Sequence, residues 1–173
     1  MITGLHITKA TINDVEALVA LVNSAYRGET SKQGWTTEAD LLDGQRTDVH
    51  SLSEILQQKE NIILKCLDED GFIIGSVLLE TRKHYLYLGM LTVRPDLQAK
   101  GIGRKLIEAS ETFAKENGIH KIIMTVISVR HELIAWYKRN GFVTTGETKP
   151  FPTDVKFGIQ KHALEFIVMK KEL

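Results

Sequence analysis

Residues 91–106 read LTVRPDLQAKGIGRKL. An apolar run ending at Arg94-Pro95 gives way to glycines at 101 and 103 and then to helix-like periodicity, which describes a strand, a sharp turn and a helix N-terminus. The first N–H groups of a helix have no intrahelical partner and lie at the positive end of its macrodipole, so bare peptide groups there hold phosphate. Gly101 and Gly103 remove the Cβ atoms that would obstruct an anion, while Gln98, Lys100, Arg104 and Lys105 add donors and positive charge. The stretch reads as an anion site of a size to take a pyrophosphate; a helix entry that is merely glycine-rich is the other reading.

Two specific rivals fail on spacing. A Walker A loop needs four residues between its glycines followed by Gly-Lys-Ser/Thr, which is absent, and the dinucleotide fingerprint needs a third Gly or Ala where Leu106 stands. Gln98-Ala99-Lys100-Gly101-Ile102-Gly103 resembles instead the Gln/Arg-x-x-Gly-x-Gly/Ala loop of the GCN5-related N-acetyltransferase (GNAT) superfamily. A second stretch, Ala135-Trp-Tyr137-Lys-Arg-Asn-Gly141-Phe142, is similar to the superfamily's tyrosine helix ending in Gly-Phe, and residues 7–26 resemble its first strand and helix.

The resemblance implies acetyl-CoA as cosubstrate, with no metal, and an amine acceptor. Its contacts would fall on Gln98, Ala99, Lys100, Gly101, Ile102, Gly103, Arg104 and Lys105, with the pantetheine arm against Leu91, Thr92 and Val93. Ser128 stands where many members carry an Asn that binds CoA, and a hydroxyl still offers one hydrogen bond. Tyr137 would protonate the departing thiolate; on spacing alone it belongs to an apolar stripe with Leu133 and Trp136. For a base or substrate contact, Glu80, His84 and Tyr87 lie on the strands before the loop, although Glu80 most simply reads as a solvated strand end and His84 as a turn residue, and Tyr87, the better substrate-pocket candidate, also fits ordinary packing.

Substrate choice is expected in the polar stretch 26–48 and in residues 146–158, where Trp35 offers an apolar body, Glu38 a partner for an ammonium, and Arg27 and Arg46 partners for a carboxylate. A surface loop pinned by one buried Trp is the structural alternative. An amino acid, a polyamine and a protein N-terminus all fit. The expected activity is direct acetyl transfer to a primary amine; the alternative is a non-catalytic acyl-CoA-binding module of the same fold.

Elements alternate along the chain. Strands are expected at 2–9, 62–67, 72–82, 84–93 and 121–127, from 142, and at 163–171. Helices are expected after a capping-box-like Thr11-Ile-Asn-Asp14 and ended by Gly28, after Thr37, from Ser51 to about Lys59, over 101–117 and over 132–140. This order suggests an α/β (α+β) protein with one mixed sheet and helices on both faces. The resemblance makes it a GNAT fold, mostly antiparallel, of about seven strands with a splay between the fourth and fifth. One GNAT domain over residues 1–173 is expected.

Composition agrees. With 22 basic and 22 acidic residues and a formal net charge of +0, no global field recruits nucleic acid or an anionic membrane. No apolar run approaches the roughly 20 residues of a membrane span, and the first residues lack a signal-peptide core, so a cytoplasmic protein is the default. Cys66 is the single cysteine and reads as a buried thiol, the six histidines show no ligand spacing, and no metal is expected. A homodimer is left open.

Overall fold

The structure is a computed structural model that describes residues 3–152 and 158–173. Its strands are β1 (His6–Lys9), β2 (Leu42–Asp43), β3 (Asn61–Leu67), β4 (Ile73–Thr81), β5 (Leu86–Val93), β6 (Lys121–Ile127), β7 (Val143–Pro150), β8 (Ile159–Gln160) and β9 (Glu165–Glu172). Its helices are α1 (Val15–Tyr26), α2 (Gly28–Ser31), α3 (Val49–Gln57), α4 (Ile102–Glu116) and α5 (His131–Arg139). Seven strands form one sheet in the order β1-β3-β4-β5-β6-β9-β7, and β2 pairs with β8 apart from it.

Every neighbouring pair in the large sheet is antiparallel except β5 with β6. Those two share only the register pairs Leu86↔Ile122 and Tyr87↔Ile123, so beyond Tyr87 they part. The expected splay is therefore present, opening toward the C-terminal end of β5.

Period-two alternation sends each strand's apolar residues to both faces. Leu64, Cys66, Val77, Leu79, Leu86 and Leu88 pack with Ile102, Leu106 and Ile107 of α4, whereas Ile63 and Leu78 pack with Val15, Leu18 and Leu52 of α1 and α3. One irregularity decides where β5 points next. Leu78 opposes Gly89 but Ser76 opposes Thr92, so two steps along β4 face three along β5, and Met90 takes a left-handed φ of 46°. The extra residue is a β-bulge. It swaps the faces, so that Leu91 and Val93 join Leu86 and Leu88 on the α4 side while Met90 turns toward α1.

Several boundaries differ from the sequence reading. The Thr11 capping box forms, with the Thr11 N–H donating to Asp14 Oδ2 at 2.8 Å and the Asn13 N–H donating to Thr11 Oγ1 at 3.3 Å, but it caps a short 3₁₀ turn ahead of α1. Gly28 begins the extra short helix α2 instead of ending the helical region. The expected helix after Thr37 is a turn leading into β2. α3 is capped by Asp48, whose carboxylate accepts the Ser51 N–H at 2.7 Å, so Ser51 lies inside the helix it was expected to cap. No helix among the described residues is long and apolar enough to cross a membrane.

Candidate active site

The quoted stretch folds as strand, 3₁₀ turn (Pro95–Leu97), loop and helix. Ala99 and Gly101 take left-handed φ of 64° and 88°, and these two reversals bring the chain to the start of α4 with no side chain capping its N-terminus. A Cβ on Gly101 would meet nothing within 4 Å, so the space over this turn is open. At Gly103 a Cβ would lie 3.2 Å from the Trp136 ring, so this glycine admits α5 as well as any ligand. Gln98 is already occupied. Its amide donates to Thr36 Oγ1 at 2.6 Å and to the Val93 carbonyl at 3.1 Å, and its oxygen accepts the Thr36 N–H at 3.3 Å, tying the 34–36 segment to the turn.

A cleft of about 640 Å³ runs from this turn along the parted edge of β5. Leu91, Val93, Gln98, Ala99, Gly101, Ile102, Gly103 and Arg104 line it, with α5 forming the far wall through Leu133, Trp136 and Tyr137. The Arg94 N–H bonds the Ile74 carbonyl on β4, so by strand alternation Leu91 and Val93 direct their backbone groups into the gap and Thr92 does not. Thr92 lies buried on the other face, its hydroxyl donating to the Met90 carbonyl at 2.9 Å.

A second cleft of about 370 Å³ opens on the α1 and α3 side of the sheet, bounded by Arg27, Glu38, Arg46, Glu80, Tyr87, Arg130 and an apolar wall that includes Met124, Phe151 and Phe166. Tyr26, Leu91, Leu133 and Tyr137 line both clefts, so the two meet at the splay. The Tyr26 hydroxyl donates to the Leu91 carbonyl at this junction. Burial pushes the Tyr26 phenol up, with Glu38 adding to the shift.

Tyr137 is 5% exposed and stands edge-on between Trp136 and Phe142, with ring centroids 5.1 and 5.7 Å away. Burial raises its phenol well above the ordinary tyrosine value, so the neutral, proton-bearing form is the stable one. No hydrogen bond holds its hydroxyl among the described residues, where every fully buried side-chain polar atom is partnered; its oxygen therefore opens onto the clefts.

Glu38 is clasped. Arg27 donates to its Oε1 from Nε at 3.2 Å and from a terminal nitrogen at 3.1 Å, and Arg130 approaches its Oε2 at 3.5 Å. With both oxygens facing guanidinium groups, it is poorly placed to receive a ligand ammonium, contrary to the sequence reading. Arg46 is held by Asn23, whose side-chain oxygen accepts the Arg46 and Thr47 N–H groups at 2.7 and 3.1 Å. Glu80 pairs with Arg82, and the Tyr87 hydroxyl meets Thr125 Oγ1 at 3.0 Å across the mouth of the splay.

Other expected residues lie elsewhere. His84 is exposed in the β4–β5 turn and lines neither cleft. Ser128 lines neither cleft, and its N–H bonds the Glu165 carbonyl at 2.9 Å. Lys100 and Lys105 are exposed beside the turn and outside the cleft lining. Trp35 packs 6.1 Å from Trp136 on the first cleft, away from the arginines with which it was grouped. Of the 146–158 segment, residues 153–157 lie outside the described residues. Arg130 is a wall residue that the sequence reading assigned no role, whereas Tyr26 entered it as the start of the 26–48 stretch and Trp136 as part of an apolar stripe. Among the described residues, no group of three or more His, Cys, Asp or Glu side chains is placed to hold a metal ion.

The family model for the acetyltransferase (GNAT) family matches residues 18–142. The mycothiol acetyltransferase of Propionibacterium freudenreichii is 27% identical over 146 residues, covering 80% of this chain; this chain spans 43% of that relative's length. The ribosomal-protein-S18-alanine N-acetyltransferase of Escherichia coli superposes with a TM-score of 0.73 at 15% identity, over 97% of this chain and 93% of its own. A Bacillus anthracis protein crystallised in complex with acetyl coenzyme A superposes with a TM-score of 0.58 at 22% identity, over 70% of this chain and 67% of its own. At these identities the two superpositions speak to the fold.

Proposed function

This chain belongs to the acetyltransferase (GNAT) family, and we propose that it forms one domain that transfers the acetyl group of acetyl-CoA directly to a primary amine, with Tyr137 as general acid. The observation that carries this reading is the meeting of two clefts, from opposite faces of the sheet, at Leu91 and Tyr137. A cosubstrate entering from the α4 turn and an acceptor entering from the α1 side would bring their reacting atoms together there.

In this reading the amides at the start of α4 hold the pyrophosphate, with Arg104 at the rim, because unpaired N–H groups and the helix dipole converge on one open turn. The pantetheine arm lies along Leu91 and Val93 as an added strand, its carbonyls accepting from N–H groups that β6 leaves unpaired, since Tyr26 and Gln98 already donate to the Leu91 and Val93 carbonyls. Trp35 and Trp136 flank the arm from the other side.

The acceptor nitrogen, once neutral, attacks the thioester carbonyl, and donors on the parted edge of β5 stabilise the developing oxyanion. The N–C bond forms, the C–S bond breaks, the sulfur takes the Tyr137 proton, and the proton that the nitrogen loses on becoming an amide restores the Tyr137 phenol. Glu80 is the described carboxylate in the acceptor cleft that is not held between two arginines, so it takes the proton shed by the ammonium, through water. No acyl-enzyme forms.

The test is thiol release from acetyl-CoA across a panel of amines, with product identified by mass. Turnover on an amine, with initial rates fitting a ternary complex, supports the reading. CoA binding without turnover on any amine would leave a non-catalytic acyl-CoA-binding module.

A further inference from the structure

We propose that the acceptor carries a free carboxylate a few atoms from its reacting amine, as an α-amino acid does, and that Arg130, seconded by Arg46, binds that carboxylate. The inference rests on the acetyltransferase reading for the identity of the reacting group, and on the second cleft alone for the carboxylate.

The charges on that cleft do not balance. Arg27, Arg46 and Arg130 face Glu38, whose two oxygens are both engaged by Arg27 and Arg130, and Glu80 is paired with Arg82. Among the described residues the wall therefore keeps an excess of positive charge in a partly dry pocket. An anion relieves it.

Arg130 is the best-placed group. Its side chain is 7% exposed, yet its one described contact is the 3.5 Å approach to Glu38. A guanidinium carries five N–H donors in a planar fork. Since every fully buried side-chain nitrogen among the described residues has a partner, the donors of Arg130 that lack one open onto the cleft. A desolvated fork with open donors matches a carboxylate in bidentate geometry.

Position supplies the spacing. Arg130 lines the same cleft as Tyr26, Leu91 and Tyr137, the residues of the junction where the amine reacts, and its charge opposes the burial-driven rise of both phenols. A carboxylate on Arg130 and an amine at Leu91 then belong to one small molecule. The remaining cleft wall, with Met124, Phe151 and Phe166, is apolar and takes an apolar side chain. A polyamine brings positive charge to a positive wall, and a protein N-terminus brings no nearby carboxylate.

The experiment compares phenylalanine and leucine with their C-terminal amides and with spermidine. It uses both turnover with acetyl-CoA and calorimetric binding to the CoA-loaded protein. The acids should exceed the amides by about 100-fold in kcat/KM and in affinity, a ratio expected from one bidentate charged contact. Arg130→Gln should collapse the acid-to-amide ratio to about 3-fold or less, with Arg130→Lys intermediate, and circular dichroism melts identify any variant that fails to fold. Arg46→Gln gives a second, smaller collapse at a residue outside the Glu38 clasp. Amides or spermidine used as well as the acids would overturn the proposal while leaving the acetyltransferase reading intact. Arg130-dependent binding of acids without turnover would uphold the proposal and sink that reading. Neither binding nor turnover of any acid would refute the proposal.

Discussion

Tyr137→Phe removes one oxygen and little else. The ring sits between Trp136 and Phe142 in edge-on contacts at 5.1 and 5.7 Å that phenylalanine keeps, and no described hydrogen bond is lost. The melting temperature should therefore stay within about 2 °C, since a change of about 1 kcal/mol shifts a chain of this size by roughly 2–4 °C. Affinity for acetyl-CoA should stay within about 2-fold, because the pyrophosphate contacts proposed at the start of α4 do not use the Tyr137 hydroxyl. Turnover is another matter. A positioned acid contributes about 10²–10⁴-fold, or roughly 3–5 kcal/mol at about 1.36 kcal/mol per decade. Continuous detection of released CoA thiol, with the amine saturating, gives kcat directly. A kcat within 3-fold of the parent protein, with folding unchanged, would remove Tyr137 from the chemistry.

Four further outcomes follow from the same geometry. Gly103→Val places a side chain 3.2 Å or less from the Trp136 ring and should weaken acetyl-CoA binding at least 10-fold by calorimetry; equal affinity would show that the turn is not the anion site. Trp35→Ala should raise the KM for acetyl-CoA more than it alters amine preference, because the indole lines the cleft of the α4 turn; the reverse would place it on the acceptor. Burial holds the Tyr137 phenol neutral to higher pH than an ordinary tyrosine, so kcat should show no loss assignable to it up to about pH 9–10; an alkaline limb that vanishes in Tyr137→Phe would contradict this. Burial alone would raise the Asp14 carboxyl, but the Thr11 N–H and the Lys65 ammonium at 2.9 Å outweigh it and lower the pKa. The stabilisation is present above the unfolded value near 3.9 and lost as pH falls through the depressed folded one, so Asp14→Asn should cost about 1 kcal/mol at pH 7 and less in acid, read from melts.

The fold and the glycine turn that opens α4 were legible because their signals are local. Glycine spacing at 101 and 103 and the apolar periodicity of α1 and α4 each lie within a few turns of chain. Paired residues were harder. Glu38 looked like an ammonium partner because its two clasps come from Arg27 and Arg130, 11 and 92 residues away, and nothing in the sequence joins them. Gln98 looked free because its partner Thr36 is 62 residues distant. Tyr26 read as the start of the 26–48 stretch, although its hydroxyl caps a carbonyl on β5. Trp35 was grouped with its neighbours in sequence, whereas its neighbour in space is Trp136, beside a catalytic candidate already named. The bulge at Met90 was missed: the positive φ falls on a methionine, and the one mark in the sequence is the strand-interior Gly89 beside it.

Crystals of the protein with CoA test the central claim most directly. The pyrophosphate is expected at hydrogen-bond distance from the amides that open α4, the pantetheine arm between β5 and β6, and the sulfur beside the Tyr137 hydroxyl at the junction of the two clefts. CoA bound with its sulfur away from Tyr137, or its pyrophosphate away from the Gly101 turn, would contradict it.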